Sequence, residues 1–234
     1  MENKKQTLIT ASIGVLVVGA AFAIGPQLEN HFGGTDESTT SHSVNQENSN
    51  SSESLVQKDS SEYKTYAALH GDAYDKSFIE NMIIHHEGAV DMAKLALTKA
   101  QHQEIKDMAN NIISTQTNEI TQMQSWQKEW GYKSSSAESP NGHDSHANHG
   151  GSSEESSDMS GHMQSMMTDL QDKSGADFDQ EFLSQMIVHH QGAIDMAAPG
   201  AQNAKHQQVK DLTKQIVQDQ SKEIRQMQQW QQEW

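Results

Sequence analysis

This sequence contains an internal repeat, and the repeat constrains the fold more than any other feature. Positions 71–130 align with positions 175–234 without a gap at a constant offset of 104, and 28 of the 60 aligned residues are identical. Two copies with the same apolar pattern are expected to adopt the same local structure. The repeat therefore predicts two equivalent halves that pack on each other.

The apolar residues of each copy recur at helical spacing. At about 100° per residue, one stripe in the first half of the copy spans an arc of about 120°, the width of a core-facing helix surface. This stripe contains Phe78, Met82, His85, His86, Ala89, Met92 and Ala93. The second half has a similar stripe, made of Ile105, Met108, Ala109, Ile112, Gln116, Glu119, Ile120, Met123, Trp126 and Trp130. Each copy is therefore predicted to contain two helices.

The two helices of a copy are predicted to be separated by a short break. Proline removes a backbone donor and clashes with the preceding turn, so Pro199 and Gly200 mark the break in the second copy. The first copy has Leu95 and Ala96 there, and its first helix is expected to run slightly longer. A single hairpin cannot bury its apolar stripe alone. We therefore predict an all-α fold, a four-helix bundle made of two helical hairpins.

The chain divides into regions of different composition. Leu, Ile, Val and Phe make up only 38 of 234 residues, which with the net charge is typical of partly disordered chains. The predicted regions are an N-terminal signal or membrane anchor over 1–26, a disordered Ser/Asn-rich tether over 27–70, the first hairpin over 71–132, a disordered His/Met-rich linker over 133–174 and the second hairpin over 175–234. The compact part of the chain is then one unit.

The N-terminal region has the features of an export signal. Two lysines precede an apolar run over residues 8–24, whose length is at the lower edge for a membrane span. Ala21, Phe22 and Ala23 have the small-x-small form of a cleavage site, which leaves secretion as the alternative. We favour an uncleaved helix that anchors the chain in the membrane. The lysines then stay cytoplasmic, and everything after the helix is extracytoplasmic.

Composition excludes several classes of function. The formal charge is −16 and no lysine or arginine cluster follows Lys5, so the chain is not expected to bind nucleic acid. The chain has no Cys, which excludes disulfides, thiolate zinc sites and Fe–S clusters. No Glu or Asp in either copy stands three residues before a His, as di-iron bundles require. Metal cations remain the favoured partners.

The stripe of the first helix carries soft metal ligands in both copies. Thioether and imidazole groups at spacings of three, four and seven lie on adjacent turns of one face, close enough to share an ion. The predicted ligands are Met82, His85, His86 and Met92, with Met186, His189, His190 and Met196 in the second copy. A Met stripe alone usually fills gaps in a core, and a lone buried His is usually only hydrogen-bonded. Two adjacent imidazoles are costly to bury without partners, so the combination favours metal ligation.

The second helix adds further candidates to each site. They are Gln116, Glu119 and Met123 in the first copy and Gln220, Glu223 and Met227 in the second. An inward carboxylate needs a cation or several donors. It either ligates the metal or accepts the second N–H of a ligating His, and the alternative is a simple hydrogen bond in the core. His102 and His206, near the start of the second helix, are weaker candidates.

The softness of these ligands indicates copper. Thioether and imidazole without thiolate favour Cu(I), with Ag(I) chemically similar, and imidazole with carboxylate also accommodates Cu(II). Met forms no disulfide and needs no deprotonation, so it suits an oxidising exterior. Calcium and magnesium need clustered oxygen ligands, which the stripe lacks.

The linker between the hairpins supplies accessory metal candidates. They are His143, His146, His149, Met159, His162, Met163, Met166 and Met167. Such a segment can collect metal ions while disordered, and the alternative is a solvated low-complexity linker. The four tryptophans at the ends of the second helices are interpreted as a hydrophobic plug that closes the bundle.

The complete pattern resembles a known family. The pattern is Phe78, Met82, His85, His86, Ala89, Met92 and Ala93, then Gln116, Glu119, Ile120 and Met123, and it occurs twice in order. It resembles the bacterial family catalogued as domain of unknown function 305, a ferritin-like helical bundle associated with copper. Members are typically exported, and some bind copper in copper tolerance. The resemblance implies metal-binding roles for Met82, His85, His86, Met92 and Met123, and for their counterparts in the second copy. The chain departs from the pattern at Leu212, which replaces Met108, and in the His/Met-rich insert.

These observations favour a binding protein rather than an enzyme. The leading hypothesis is an exported protein that sequesters or transfers Cu(I) or Cu(II) at the cell surface and contributes to copper tolerance. The sequence does not identify the protein that supplies or accepts the metal. One alternative is an extracytoplasmic copper oxidase, and another is a purely structural helical bundle.

Overall fold

A computed structural model describes residues 54–132 and 152–234, with side chains from residue 161 onward in the second range. The predicted all-α fold is confirmed for this part of the chain. The helices are α1 Ser61–Ala67, α2 Asp72–Lys99, α3 Gln103–Trp130, α4 Ser152–Gln171, α5 Gly175–Ala197, α6 Gly200–Asn203 and α7 Gln207–Glu233. The long helices α2, α3, α5 and α7 form a bundle.

The long helices pack as two hairpins. Helices α2 and α3 pack along each other, α5 packs along α7, and α2 packs on α5. The predicted break in the second copy is confirmed, because α5 ends at Ala197 and the short α6 begins after Pro199. In the first copy α2 continues to Lys99, as expected where no proline intervenes.

Short backbone contacts hold the two hairpins in an antiparallel arrangement. The backbone of Gly71 pairs with that of Ala204, and the backbone of Ala100 pairs with that of Gly175. The two contacts are equivalent, because Gly71 corresponds to Gly175 and Ala100 to Ala204 at the repeat offset of 104 residues. Both glycines have a φ of 61°, a conformation that other residues rarely adopt. The start of α2 therefore lies beside the end of α6, and the start of α5 lies beside the end of α2.

Two buried aspartates, which sequence reasoning missed, join each hairpin to the other. Asp179 accepts hydrogen bonds from the backbone N–H of His102 at 2.9 Å, from His102 Nδ1 at 2.6 Å and from the preceding backbone N–H at 2.9 Å. Asp75 makes the same three contacts at His206, at 2.9, 2.6 and 3.0 Å. The first N–H groups of a helix have no partner within it, so the aspartates cap α3 and α7. The side chain of Asp75 is 0% exposed and that of Asp179 is 1% exposed.

The outer tryptophans cover these contacts. Trp130 stacks on His206 with ring centroids 3.7 Å apart, and Trp234 stacks on His102 at 3.8 Å. Trp126 is buried in the core, as expected for a plug, but Trp234 is 38% exposed. Trp130 and Trp234, at the ends of α3 and α7, therefore cover the two histidines that are hydrogen-bonded to the aspartates.

Part of the predicted disordered linker is a helix. Helix α4 packs against α2 and α5, and Met166 and Leu170 are buried in the same core cluster as Met92 and Met186. The prediction of disorder over 133–174 is wrong for α4, because these apolar residues one turn apart give the helix a buried face.

The end of the predicted tether is also ordered. Ser60 caps α1 by accepting a hydrogen bond from the Tyr63 N–H, and Tyr66 is 3% exposed. Helix α1 packs on α5, and the Asn81 side chain of α2 donates to the Tyr66 hydroxyl at 2.8 Å. The prediction of disorder over 27–70 is therefore wrong from Ser60 onward. A single buried aromatic in a polar segment gives too little periodicity to predict this helix.

The predicted export signal over 1–26 and the tether up to residue 53 lie outside the described residues. Within the two described ranges, no helix has the length and apolar character needed to cross a membrane.

Candidate metal centre

Four histidines form a row through the middle of the bundle, in the order His86, His85, His189, His190. The central pair lies where α2 crosses α5, with ring centroids 3.7 Å apart. The outer rings lie 6.4 Å from His85 and 6.1 Å from His189. All four side chains are buried, with exposures of 3% or less. The periodicity of the sequence predicted that these side chains face inward, and the structure confirms it.

Hydrogen bonds orient three rings of this histidine row. Nε2 of His86 donates to Glu119 at 2.7 Å, and Nε2 of His190 donates to Glu223 at 2.6 Å. Nε2 of His189 donates to the backbone carbonyl of His85 at 3.0 Å. Since these acceptors require the hydrogen on Nε2, the Nδ1 atom of each neutral ring carries a free lone pair. This is the arrangement in which a second hydrogen bond orients a metal-ligating histidine.

The Nδ1 atoms of all four histidines are buried and, among the described residues, have no hydrogen-bond partner. A buried polar atom without a partner costs about 1–3 kcal/mol. Four such atoms in one row therefore lower the stability of the metal-free protein, and ligation of a metal ion by these atoms would offset that cost. Each of the two glutamates holds its histidine through one carboxylate oxygen, Oε2.

The methionines lie in two groups, and each group draws from both hairpins. Met82, Met123 and Met196 belong to one buried cluster of the core. Met92, Met186 and Met227 belong to the other. The six side chains are at most 1% exposed. These sets are named methionine group A and methionine group B in the order given.

This grouping corrects the expectation that Met82 and Met92 serve one site in the first copy. Ten residues of α-helix separate two side chains by about 15 Å along the axis. Antiparallel packing of α2 on α5 instead brings each methionine beside the opposite end of the other helix. The two sets of methionines therefore belong to different parts of the core, and each set contains residues of both hairpins.

Thioether groups are candidate ligands that would complement the imidazoles of the histidine row. In the part of the chain that the structure covers, no set of three or more His, Asp or Glu side chains is placed to hold a metal ion. Imidazole and thioether together form a soft donor set that fits Cu(I) or Ag(I) better than a hard cation.

A cleft of about 820 Å³ leads from the surface to the central histidine pair. His85, His189 and Met196 line its inner part, and His162 and Met163 of α4 line it as well. Helix α4 lies close to α2 here because position 88 is glycine, where a Cβ would stand 2.6 Å from the Met163 sulfur. Two of the accessory candidates are thus brought to the entrance of the centre.

The remaining accessory candidates lie elsewhere. Met166 is a buried core residue, and Met167 is partly buried against the same cluster. His102 and His206 are bound by aspartates and stacked on tryptophans, apart from the histidine row. His143, His146, His149 and the Met159 side chain lie outside the described residues.

The central pair gives the metal-free protein a pH dependence. Burial, and then the nearby histidines, lowers the pKa of His85 and of His189 well below the usual 6.5. The unfolded chain therefore takes up two protons below pH 6.5 that the folded chain excludes. The free energy of unfolding should be unaffected by this pair above that pH and should fall by about 2.7 kcal/mol per pH unit below it.

Urea unfolding of chelator-treated protein between pH 7.5 and 5 measures this slope. The variant His85→Gln with His189→Gln, which has no group titrating at these positions, should show a shallower slope by that amount. Equal slopes for the two proteins would contradict the prediction.

Several solved structures are similar to this chain. CopM in its Cu(II)-bound form is 35% identical to this chain, with a TM-score of 0.53 and a match covering 68% of this chain and 98% of CopM. The Cu(I)-bound form of CopM is 36% identical, with a TM-score of 0.53, over 68% of this chain and 96% of CopM. A DUF305 fragment from Deinococcus radiodurans is 25% identical, with a TM-score of 0.55, over 68% and 96% of the two chains.

An uncharacterized protein of Acanthamoeba polyphaga mimivirus, L153, matches a shorter part of the chain. It is 39% identical over 51 residues, which are 22% of this chain and 34% of the viral protein. Residues 28–231 match the family described as domain of unknown function (DUF305), and they include the first hairpin, the histidine row and all but the last residues of the second hairpin. The chain therefore belongs to the DUF305 family.

Proposed function

We propose that this chain is an exported copper-binding protein that sequesters or transfers Cu(I), and also accommodates Cu(II), outside the cytoplasm. The observation that carries the proposal is the set of four buried Nδ1 atoms in the histidine row, which lack a hydrogen-bond partner among the described residues. Two groups of buried methionines in the same core support the proposal, as does the similarity to the Cu(II)- and Cu(I)-bound forms of CopM.

The soft ion enters through the cleft and is held at the ends of the row. Methionine group A accompanies His86, because Met82 lies one turn before His86 and Met123 lies one turn after Glu119, its hydrogen-bond partner. Methionine group B accompanies His190 in the same way through Glu223. Each group binds one ion in this proposal, so the chain holds two in its core.

The function requires no catalysis. A thioether and imidazole site stabilises Cu(I), and the buried groups limit access of oxidants to the ion. The apolar run over residues 8–24 directs the chain to the cell exterior. In this proposal the run is not cleaved and anchors the chain in the membrane.

Native mass spectrometry of the protein titrated with Ag(I), Cu(I), Cu(II) and Zn(II) tests this function. We expect saturable uptake of Ag(I) and Cu(I) into the folded bundle, and a lower count in the variant His85→Ala with His86→Ala. The matched control is His102→Asn with His206→Asn, which changes two histidines outside the row and keeps an amide that can donate to the aspartates.

Two results would contradict the proposal. The first is an Ag(I) count that stays the same when His85 and His86 are replaced, with circular dichroism showing both proteins folded. The second is continuous oxygen consumption with Cu(I) as substrate, which would identify an oxidase, since a binder takes up a fixed amount of metal without turnover.

A further inference from the structure

A second small cavity lies between α3 and α7, and its lining includes the two glutamates that accept hydrogen bonds from His86 and His190. Its volume is about 20 Å³, and it is lined by Gln116 and Glu119 together with Gln220 and Glu223, each pair 104 residues apart. A cavity needs about 10–15 Å³ to hold one water molecule, so this space fits a single small occupant.

The two glutamines of this cavity have unused acceptors. Gln116 is 3% exposed and Gln220 is 4% exposed. The side-chain oxygen of each is buried and has no hydrogen-bond partner within residues 54–132 and 161–234. A buried amide oxygen without a partner is unfavourable by about 1–3 kcal/mol, so both oxygens call for a donor or a cation.

The two glutamates add charge and further oxygen atoms to the same cavity. The Oε2 atom of Glu119 accepts from His86, and the Oε2 atom of Glu223 accepts from His190, which leaves Oε1 of each carboxylate available. The side chain of Glu119 is 9% exposed and that of Glu223 is 27% exposed, so the first is buried and the second is partly buried. Each carboxylate therefore presents one oxygen atom that is not used by its histidine at the same cavity.

The chemistry of this lining differs from that of the histidine row. The cavity is surrounded by carboxylate, amide, hydroxyl and aliphatic groups, and within the described chain no imidazole or thioether lines it. Asp219 at its rim is already paired with Lys222 at 3.0 Å. Hard divalent cations take carboxylate and amide oxygens and complete their shell with water.

We infer that this cavity binds one hard divalent cation of the Ca²⁺ or Mg²⁺ class. Its ligands are the side-chain oxygens of Gln116 and Gln220 and the free carboxylate oxygens of Glu119 and Glu223. One divalent ion neutralises the two carboxylates and satisfies the two amide oxygens at once. The site is separate from the soft-ion sites and does not rest on the proposed copper function, although Glu119 and Glu223 connect the two regions through the histidines.

Calorimetric titration of the chelator-treated full chain with Ca²⁺ and with Mg²⁺ tests this inference. We expect one ion per chain, with affinity lowered about tenfold or more in the variant Gln116→Leu with Gln220→Leu. The matched control is Gln122→Leu with Gln226→Leu, which replaces two glutamines at equivalent positions of the same helices outside the cavity. This control should bind like the unchanged protein.

Folding and the soft-ion sites are checked in the same samples. Leucine removes the unpartnered amides, so the cation-free variant should be no less stable than the unchanged protein, as measured by urea unfolding. A cavity that holds only water gives no binding of either cation and overturns the inference. Equal weakening in the cavity variant and the control also overturns it. Retained Ag(I) binding in those cases would leave the copper function intact.

Discussion

The combined variant Met82→Leu, Met123→Leu and Met196→Leu is expected to lose one bound Ag(I) or Cu(I) ion and to keep the other. These residues make up methionine group A. Leucine has nearly the volume of methionine, so the core is retained while three sulfur ligands are removed. Loss of these ligands should lower the affinity for the ion at methionine group A by about 100-fold or more. The affinity for the ion at methionine group B should not change.

A second variant with the same number of substitutions separates this arrangement from one site per copy. Met82→Leu, Met92→Leu and Met123→Leu removes the three sulfurs of the first copy, which means two from group A and one from group B. We expect both ions to bind more weakly in this variant. Native mass spectrometry with Ag(I) distinguishes the two patterns. If the first-copy variant lost one ion cleanly while the group A variant weakened both, the cross-hairpin grouping would be wrong as a description of the binding sites.

Removal of the two buried aspartates is expected to have the largest effect on stability. Each carboxylate accepts three hydrogen bonds from the other hairpin, two of them from backbone N–H groups at the start of a helix. Asp75→Ala or Asp179→Ala leaves these donors without an acceptor. We expect a loss of about 2–4 kcal/mol for each, because the histidines are partly exposed and water replaces some of the interaction.

The double variant is expected to be unfolded or nearly so. The summed loss of about 4–8 kcal/mol is comparable with the whole stability of a typical domain. Urea unfolding measures the single variants, and far-ultraviolet circular dichroism measures the double variant. Asp75→Asn with Asp179→Asn keeps the shape and one acceptor oxygen at each site, so it should remain folded with reduced stability. Single alanine variants that unfold within about 0.5 kcal/mol of the unchanged protein would contradict this account.

The helical pattern and the inward histidines could be predicted from the sequence, because both depend on local periodicity. Pro199 marks a break whichever way the helices pack, and His85 and His86 face inward because of their spacing from Phe78 and Met82. The duplication then places the corresponding residues of the second copy without any further information.

The composition of each methionine group could not be predicted in this way. It depends on the direction and register of α2 against α5, which are set by contacts between the copies rather than within them. Met82 and Met92 share a helix face but lie in different groups for this reason. The order of the helices along the chain does not fix that register.

The aspartate contacts left a weak signal in the sequence. Asp75 and Asp179 are identical between the copies and stand three residues before Phe78 and Phe182, on the inward stripe. An inward charged residue preserved in both copies needs a partner, and the partner proved to be the helix start of the other hairpin. Helix α4 also left a signal, because Met163, Met166, Met167 and Leu170 recur at helical spacing within a segment of otherwise polar composition.

The exchange of contacts between the hairpins has a consequence for how such a protein is assembled. Each 60-residue unit supplies an aspartate to its neighbour and receives one in return, and it contributes part of both sulfur groups. That reciprocity is the geometry of an isologous dimer interface. The chain thus has the contact pattern of a dimer within a single polypeptide, in which equivalent positions of the two halves can carry different residues, such as Met108 and Leu212 or Leu95 and Pro199.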